Sequence, residues 1–113
     1  MKTVILAATL FVSLCAFSAE PEVREARFRV SGNCVMCKLR IEKALAVEGV
    51  RSARWDRRSQ TVRVFYESPP LTADSLQRIV AASGHDTGEF SAPDSVYRAL
   101  PDCCRYREKK KTH

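Results

Sequence analysis

The sequence predicts an α+β domain whose elements run strand, helix, strand, strand, helix, strand, and three observations carry that prediction. Apolar residues alternate with arginines in "VREARFRV", residues 23–30; an apolar stripe then recurs every fourth residue; and two more alternating stretches lie back to back around a polar turn before a second stripe.

Each element has its own reason. In the first strand Phe28 and Val30 face one way and Arg27 and Arg29 the other, the signature of a half-buried strand. Cys37, Ile41 and Leu45 then share one helical face with Ala44, so a helix is expected from about Met36 to Val47, stopped at Gly49. "VRSARWD" and "TVRVFYE" pair as a hairpin through "RRSQ". Pro69 and Pro70 end the hairpin, Thr72 is placed to cap a second helix with Leu76, Ile79 and Val80 inward, and Gly84 closes it. "TGEFSA" offers a fourth strand. The order is the ferredoxin-like βαββαβ sandwich: a four-stranded antiparallel sheet with both helices on one face. Its other face, lined by Arg27, Arg29, Arg54, Arg63 and Phe65, meets water. Beyond Pro93 an extension follows, expected to be ordered to about Tyr106 through Val96, Tyr97 and Leu100.

The start of the chain reads as a secretory signal peptide over residues 1–18: Lys2, the apolar or small run Val4 to Phe17, then small residues for cleavage after Ser18 or Ala19. The run is too short to span a bilayer. Cys15 leaves with the leader, the alternative being lipid attachment there. This leaves one domain over 19–92, an extension over 93–113, and an exported, periplasmic product. The net charge of +6 belongs to the ends, because residues 19–104 hold thirteen basic against twelve acidic side chains and "RYREKKKTH" adds five against one. Such a tail reads as a solvated end.

Four cysteines remain: Cys34, Cys37, Cys103 and Cys104. Exported cysteines usually staple loops, but these sit in two tight clusters that close no useful loop on their own. Cys34 and Cys37 fall where the first strand hands over to the first helix, and the positive end of a helix favours thiolate over thiol. Two soft sulfurs on one short loop suit Cu(I) first and Hg(II) next. Zn(II), which wants four ligands, is also open. Two protein ligands leave an ion accessible to exchange.

"GNCVMCKLRIEKAL", followed by "GV", "WD", "TVRVFY" and "GHDT", resembles the heavy-metal-associated domain family of copper chaperones, metal-pump amino-terminal domains and periplasmic mercuric-ion-binding proteins, over roughly residues 23–92. The resemblance implies that Cys34 and Cys37 bind the metal, that the protein is a metallochaperone or scavenger and not an enzyme, and that a metal-transporting membrane protein is its donor or acceptor. The methionine that the family carries two residues before its first cysteine is Gly32 here, so the apolar brace of the loop is expected to be missing, and Met36 does not simply replace it.

Other classes fit less well. A thiol-disulfide redox protein using Cys34 and Cys37 is the alternative, but the thioredoxin architecture needs a longer chain and a parallel sheet. Nucleic-acid binding on the arginine face lacks the stacking aromatics, with Phe65 alone, so no nucleic-acid partner is expected and the chain is read as a monomer. Three residues stay open at this point. The doublet Cys103 and Cys104 lies close enough in sequence to return to the metal loop, though nothing compels it to. His85 in "SGHDTG" falls in a turn at the same end of the sheet, as a weak third ligand, a donor to a thiolate, or a surface residue.

Overall fold

The computed structural model describes residues 20–108. The leader read as a signal peptide, with its Cys15, and the last five residues of the tail lie outside them. Three strands, β1 (Glu22–Arg29), β2 (Val50–Asp56) and β3 (Thr61–Ser68), make one antiparallel sheet in the order β1-β3-β2. The helices α1 (Val35–Ala44) and α2 (Ala73–Ala82) pack on it, and a short α3 (Asp94–Arg98) and a 3-10 turn (Asp102–Cys104) follow.

Strand register explains the core. Phe28 and Trp55 both lie opposite Val62, and Ala26 and Ala53 both lie opposite Val64, so one face is apolar across all three strands. Ile41 and Leu45 from α1 and Leu76 and Val80 from α2 close over that face and are fully buried. On the other face Arg27 and Arg54 both lie opposite Arg63, as the alternation predicts. Like charges there would repel. The Glu25 carboxylate relieves them by accepting from Arg27 Nε at 2.7 Å and Arg63 Nε at 2.8 Å, and the Arg63 guanidinium lies 4.8 Å above the Phe65 ring.

Helix ends follow local chemistry. Thr72 caps α2 in a reciprocal box: its hydroxyl accepts from Ser75 N at 3.1 Å while Ser75 Oγ accepts from Thr72 N at 2.8 Å. α1 ends at Ala44 with Leu45 as its cap, earlier than the expected Val47, because the chain tightens there (Ala46 N to Lys43 O, 3.1 Å) before Gly49, at φ +91°, turns it into β2.

The expected four-stranded sheet is corrected to three strands. "TGEFSA" meets the residue just past the end of β1 through a single bridge, Val30 to Thr87, and then curls away. The cause is the Thr87 side chain: Phe90 N donates to Thr87 Oγ1 at 3.0 Å while Thr87 N donates to Phe90 O at 2.8 Å, closing a turn where a strand would need extended backbone. Asp86 reinforces the turn by accepting from Ala92 N at 2.7 Å.

The extension is part of the core. Tyr97, Leu100, Cys104 and Tyr106 are all buried in it, whereas Val96 is only half-buried. Order continues past the expected Tyr106 to Arg107, whose guanidinium forks onto Asp86 (Nη2–Oδ1 2.6 Å, Nε–Oδ2 2.9 Å) and lies 4.4 Å over Tyr97.

Candidate metal centre

The loop between β1 and α1 is held from several sides before any cysteine is considered. Trp55 Nε1 donates to Val30 O at 2.9 Å, Gln60 accepts from Gly32 N through its side chain at 3.0 Å, and Ser31 N donates to Asp86 O at 2.8 Å. Gly32 is what lets Trp55 in: a Cβ there would meet Trp55 Cζ2 and Cys37 Cβ, each at 3.0 Å. The missing apolar brace is thus supplied by the indole of β2, while Met36 is half exposed and takes no part. Gly32→Ala should cost ~1–3 kcal/mol, since both neighbours are buried and neither can swing away. Urea unfolding checks it, and an unchanged midpoint would remove Trp55 as the brace.

Cys34 is the N-cap residue of α1, with extended backbone (φ −150°, ψ 174°), and Cys37 lies one turn on. Their sulfurs are 3.3 Å apart. Asn33 brackets the inner thiol, its backbone N–H pointing at Cys37 Sγ at 3.5 Å and its Oδ1 accepting from that thiol at 3.2 Å. The doublet does return. Cys104 Sγ lies 3.5 Å from Cys34 Sγ, and the sulfurs of Cys34, Cys37 and Cys104 all lie within 4.8 Å of one another. Cys103 stays exposed, 3.8 Å from Cys104. All four thiols are free.

The two loop cysteines are electrostatically unlike. Burial works against the Cys34 thiolate, but the Cys37 backbone N–H and the thiols of Cys37, Cys104 and Cys103 together outweigh it and bring its pKa down to about 7. Burial pushes the Cys37 thiol well up, against the Asn33 N–H. Cys103 is also raised, first by its hydrogen bond with Cys104 and then by desolvation. At pH 7 in the metal-free reduced protein, iodoacetamide should therefore label Cys34 ahead of the more exposed Cys103, with a rate that rises through pH ~7 in place of the ~8.5 of a free thiol. Peptide mapping after a short pulse checks this; preferential labelling of Cys103 would contradict the assignment of thiolate character to Cys34.

His85 holds the loop and is not part of the sulfur cluster. It is fully buried, and its Nδ1 is 2.8 Å from Ser31 O. A carbonyl only accepts, so Nδ1 carries the proton and Nε2 the lone pair, which has no partner among the described residues. Burial first, then Arg40, hold its pKa below the ordinary value, so the ring is neutral. It stacks on Tyr106 at 5.4 Å.

Several contributors escaped sequence reasoning. Arg40, three residues after Cys37 on the same helix, points Nη1 at Cys104 Sγ at 3.1 Å; a basic residue one turn beyond a cysteine pair is the signal that could have found it. Tyr106 ties the extension to the loop's neighbour, donating to Gly84 O and accepting from Asp86 N, each at 2.7 Å. That contact spans about twenty residues and leaves no local pattern.

No protein-family model matches the chain, and no curated protein does. Solved structures do match. The CopZ metallochaperone superposes over 57% of this chain and 98% of its own length, with a TM-score of 0.54 at 26% identity. The N-terminal domain of a potential copper-translocating P-type ATPase from Bacillus subtilis, in its Cu(I)-loaded state, superposes over 58% of this chain and 85% of its own, with a TM-score of 0.54 at 31% identity. Oxidized MerP from Ralstonia metallidurans aligns over 59% and 96%, with a TM-score of 0.55 at 20% identity, a likeness of fold alone.

Proposed function

Since the chain belongs to the heavy-metal-associated domain family, with a metallochaperone and the N-terminal domain of a potential copper-translocating P-type ATPase among its structural neighbours, we propose that it is an exported, non-enzymatic protein that carries one soft metal ion on the thiolates of Cys34 and Cys37. Cu(I) is the first choice of ion, with Hg(II) and Zn(II) behind it. The observation that carries the reading is the sulfur pair itself: two thiols 3.3 Å apart at the start of α1, one with its pKa near 7. Binding replaces a thiol proton by the metal at each sulfur, and Cys34, already partly ionised at neutral pH, is the sulfur that meets the ion first.

Delivery or scavenging in the periplasm, with a metal-transporting membrane protein as donor or acceptor, fits the surroundings of the pair. Val35, Met36 and Leu39 are exposed apolar residues on the first turns of α1, beside half-buried Cys34. They form a collar against which another protein could seat while its own sulfurs reach the ion. Anaerobic reconstitution of the reduced mature protein with Cu(I), Zn(II) and Hg(II) in competition, read by native mass spectrometry, tests the reading. Retention of one Cu(I) per chain is expected; no retained ion would overturn it.

The alternative, a thiol-disulfide redox protein, draws on the low pKa of Cys34 beside a second thiol. Catalysed reduction of insulin by the reduced protein, without metal retention, would favour it. A third sulfur packed against the pair is no part of a two-cysteine exchange cycle, and the metal reading accommodates it.

A further inference from the structure

We propose that Cys104 is a third metal ligand, so that the C-terminal extension closes the Cys34–Cys37 loop into a three-thiolate cup with Arg40 as its counter-charge. The inference rests on the metal-binding reading above and deepens it: the cargo is a soft ion that accepts three sulfurs, and the protein retains it more firmly than a two-sulfur loop would.

Geometry favours three sulfurs over two. With a metal–thiolate bond of ~2.3 Å, a trigonal site has sulfurs ~4.0 Å apart, whereas a linear two-sulfur site needs ~4.6 Å across the metal. The two separations from Cys34, 3.3 Å and 3.5 Å, need outward shifts of only ~0.5–0.7 Å to become trigonal, and all three sulfurs already lie inside 4.8 Å. Cys34 would have to part from Cys37 by more than an ångström to become linear.

Chemistry points the same way. A buried cysteine that only fills space sits among apolar neighbours. Cys104 is fully buried yet faces two other sulfurs and a guanidinium at 3.1 Å. Three thiolates on a monovalent ion leave a net charge of −2, and on a divalent ion −1. Arg40 supplies positive charge at the sulfur that the extension contributes.

The strap that brings Cys104 is also built to hold. Tyr106 and Arg107, two and three residues beyond it, are fastened to Gly84, Asp86, Asp94 and Ala92 O. A ligand on a fastened segment loses little freedom on binding. An acceptor with two thiols must then displace three, one of them held from behind. Cys103, exposed at the rim, stays outside the cup and serves as the internal control.

X-ray absorption at the copper edge of the Cu(I)-loaded full-length mature protein counts the sulfurs, and native mass spectrometry shows whether the species is a monomer. Wild type is expected to show three sulfurs in a one-to-one monomer, Cys104→Ser two, and Cys103→Ser three. In chelator competition, Cys104→Ser should bind Cu(I) at least ~10-fold more weakly, because changing even an outer partner of a ligand costs 10–100-fold, and Cys103→Ser should lose far less than Cys104→Ser. Two sulfurs in wild type, three supplied by a dimer, or an unchanged affinity in a folded Cys104→Ser would overturn the cup. Should the serine variant fail to fold, the wild-type sulfur count still decides. A protein that retains Cu(I) on two sulfurs refutes the cup alone, and one that retains no ion refutes both readings.

Discussion

Replacing Cys34 and Cys37 together with serine should abolish tight Cu(I) binding and leave the chain folded. A hydroxyl is a hard, neutral ligand where the ion wants a soft anion. Altering an outer partner of a ligand already costs 10–100-fold, so loss of both loop sulfurs exceeds that range. The fold survives for two reasons. Cys34 is half-buried at the loop, and its serine changes little packing. Cys37 is fully buried in the core, but Asn33 Oδ1, 3.2 Å from its sulfur, is placed to accept from a serine hydroxyl as it does from the thiol. A loss of ~1 kcal/mol is expected there. Chelator competition beside a urea unfolding curve measures both halves. Wild-type affinity in the folded double variant would remove the loop as the metal centre.

What could be read in the sequence follows from how local its cause is. The alternation in β1 and β3 was legible because one sheet face meets water and the other meets two helices, so Arg63 and Val64 cannot trade places. The Thr72 cap was legible because its bond is to a residue three positions on. The fourth strand was misread for a complementary reason. Its composition allows extension, but the Thr87 hydroxyl captures Phe90 N and the Asp86 carboxylate captures Ala92 N, and these side-chain bonds to nearby backbone hold the segment out of an extended ladder. At the candidate metal centre, the spacing of Cys34 and Cys37 was enough to bring their sulfurs together at the start of α1. The return of Cys104 was permitted by chain length but decided by Arg107 on Asp86 and Tyr106 on Gly84, tertiary pairings with no periodic trace. Gly32 read as a missing brace because its complement, Trp55, sits on another strand. His85 was placed at the correct end of the sheet by topology, whereas the pairing of its Nδ1 with Ser31 O is a tertiary contact with no local trace.

Tyr106→Ala should cost ~3–5 kcal/mol, the range for truncating a large buried aromatic side chain, out of the ~5–15 kcal/mol that holds a domain of this kind folded. The ring is nearly fully buried, stacked on His85 at 5.4 Å and edge-on to Tyr97 at 5.2 Å, so its loss opens a cavity between the extension and the loop's neighbours. The hydroxyl matters separately. It donates to Gly84 O and accepts from Asp86 N, so Tyr106→Phe keeps the packing but unpairs both backbone groups, at ~1–3 kcal/mol. The alanine variant has a second way to respond. The extension can undock locally, which limits the global loss to the free energy of docking and carries Cys104 out of the core. Thiol reactivity separates the two responses: buried Cys104 reacts slowly in wild type and in the phenylalanine variant, and quickly in the alanine variant if the strap has opened. Urea unfolding with timed alkylation of the metal-free protein measures both quantities. An alanine variant that loses less than ~1 kcal/mol and keeps Cys104 protected would show that Tyr106 does not fasten the extension.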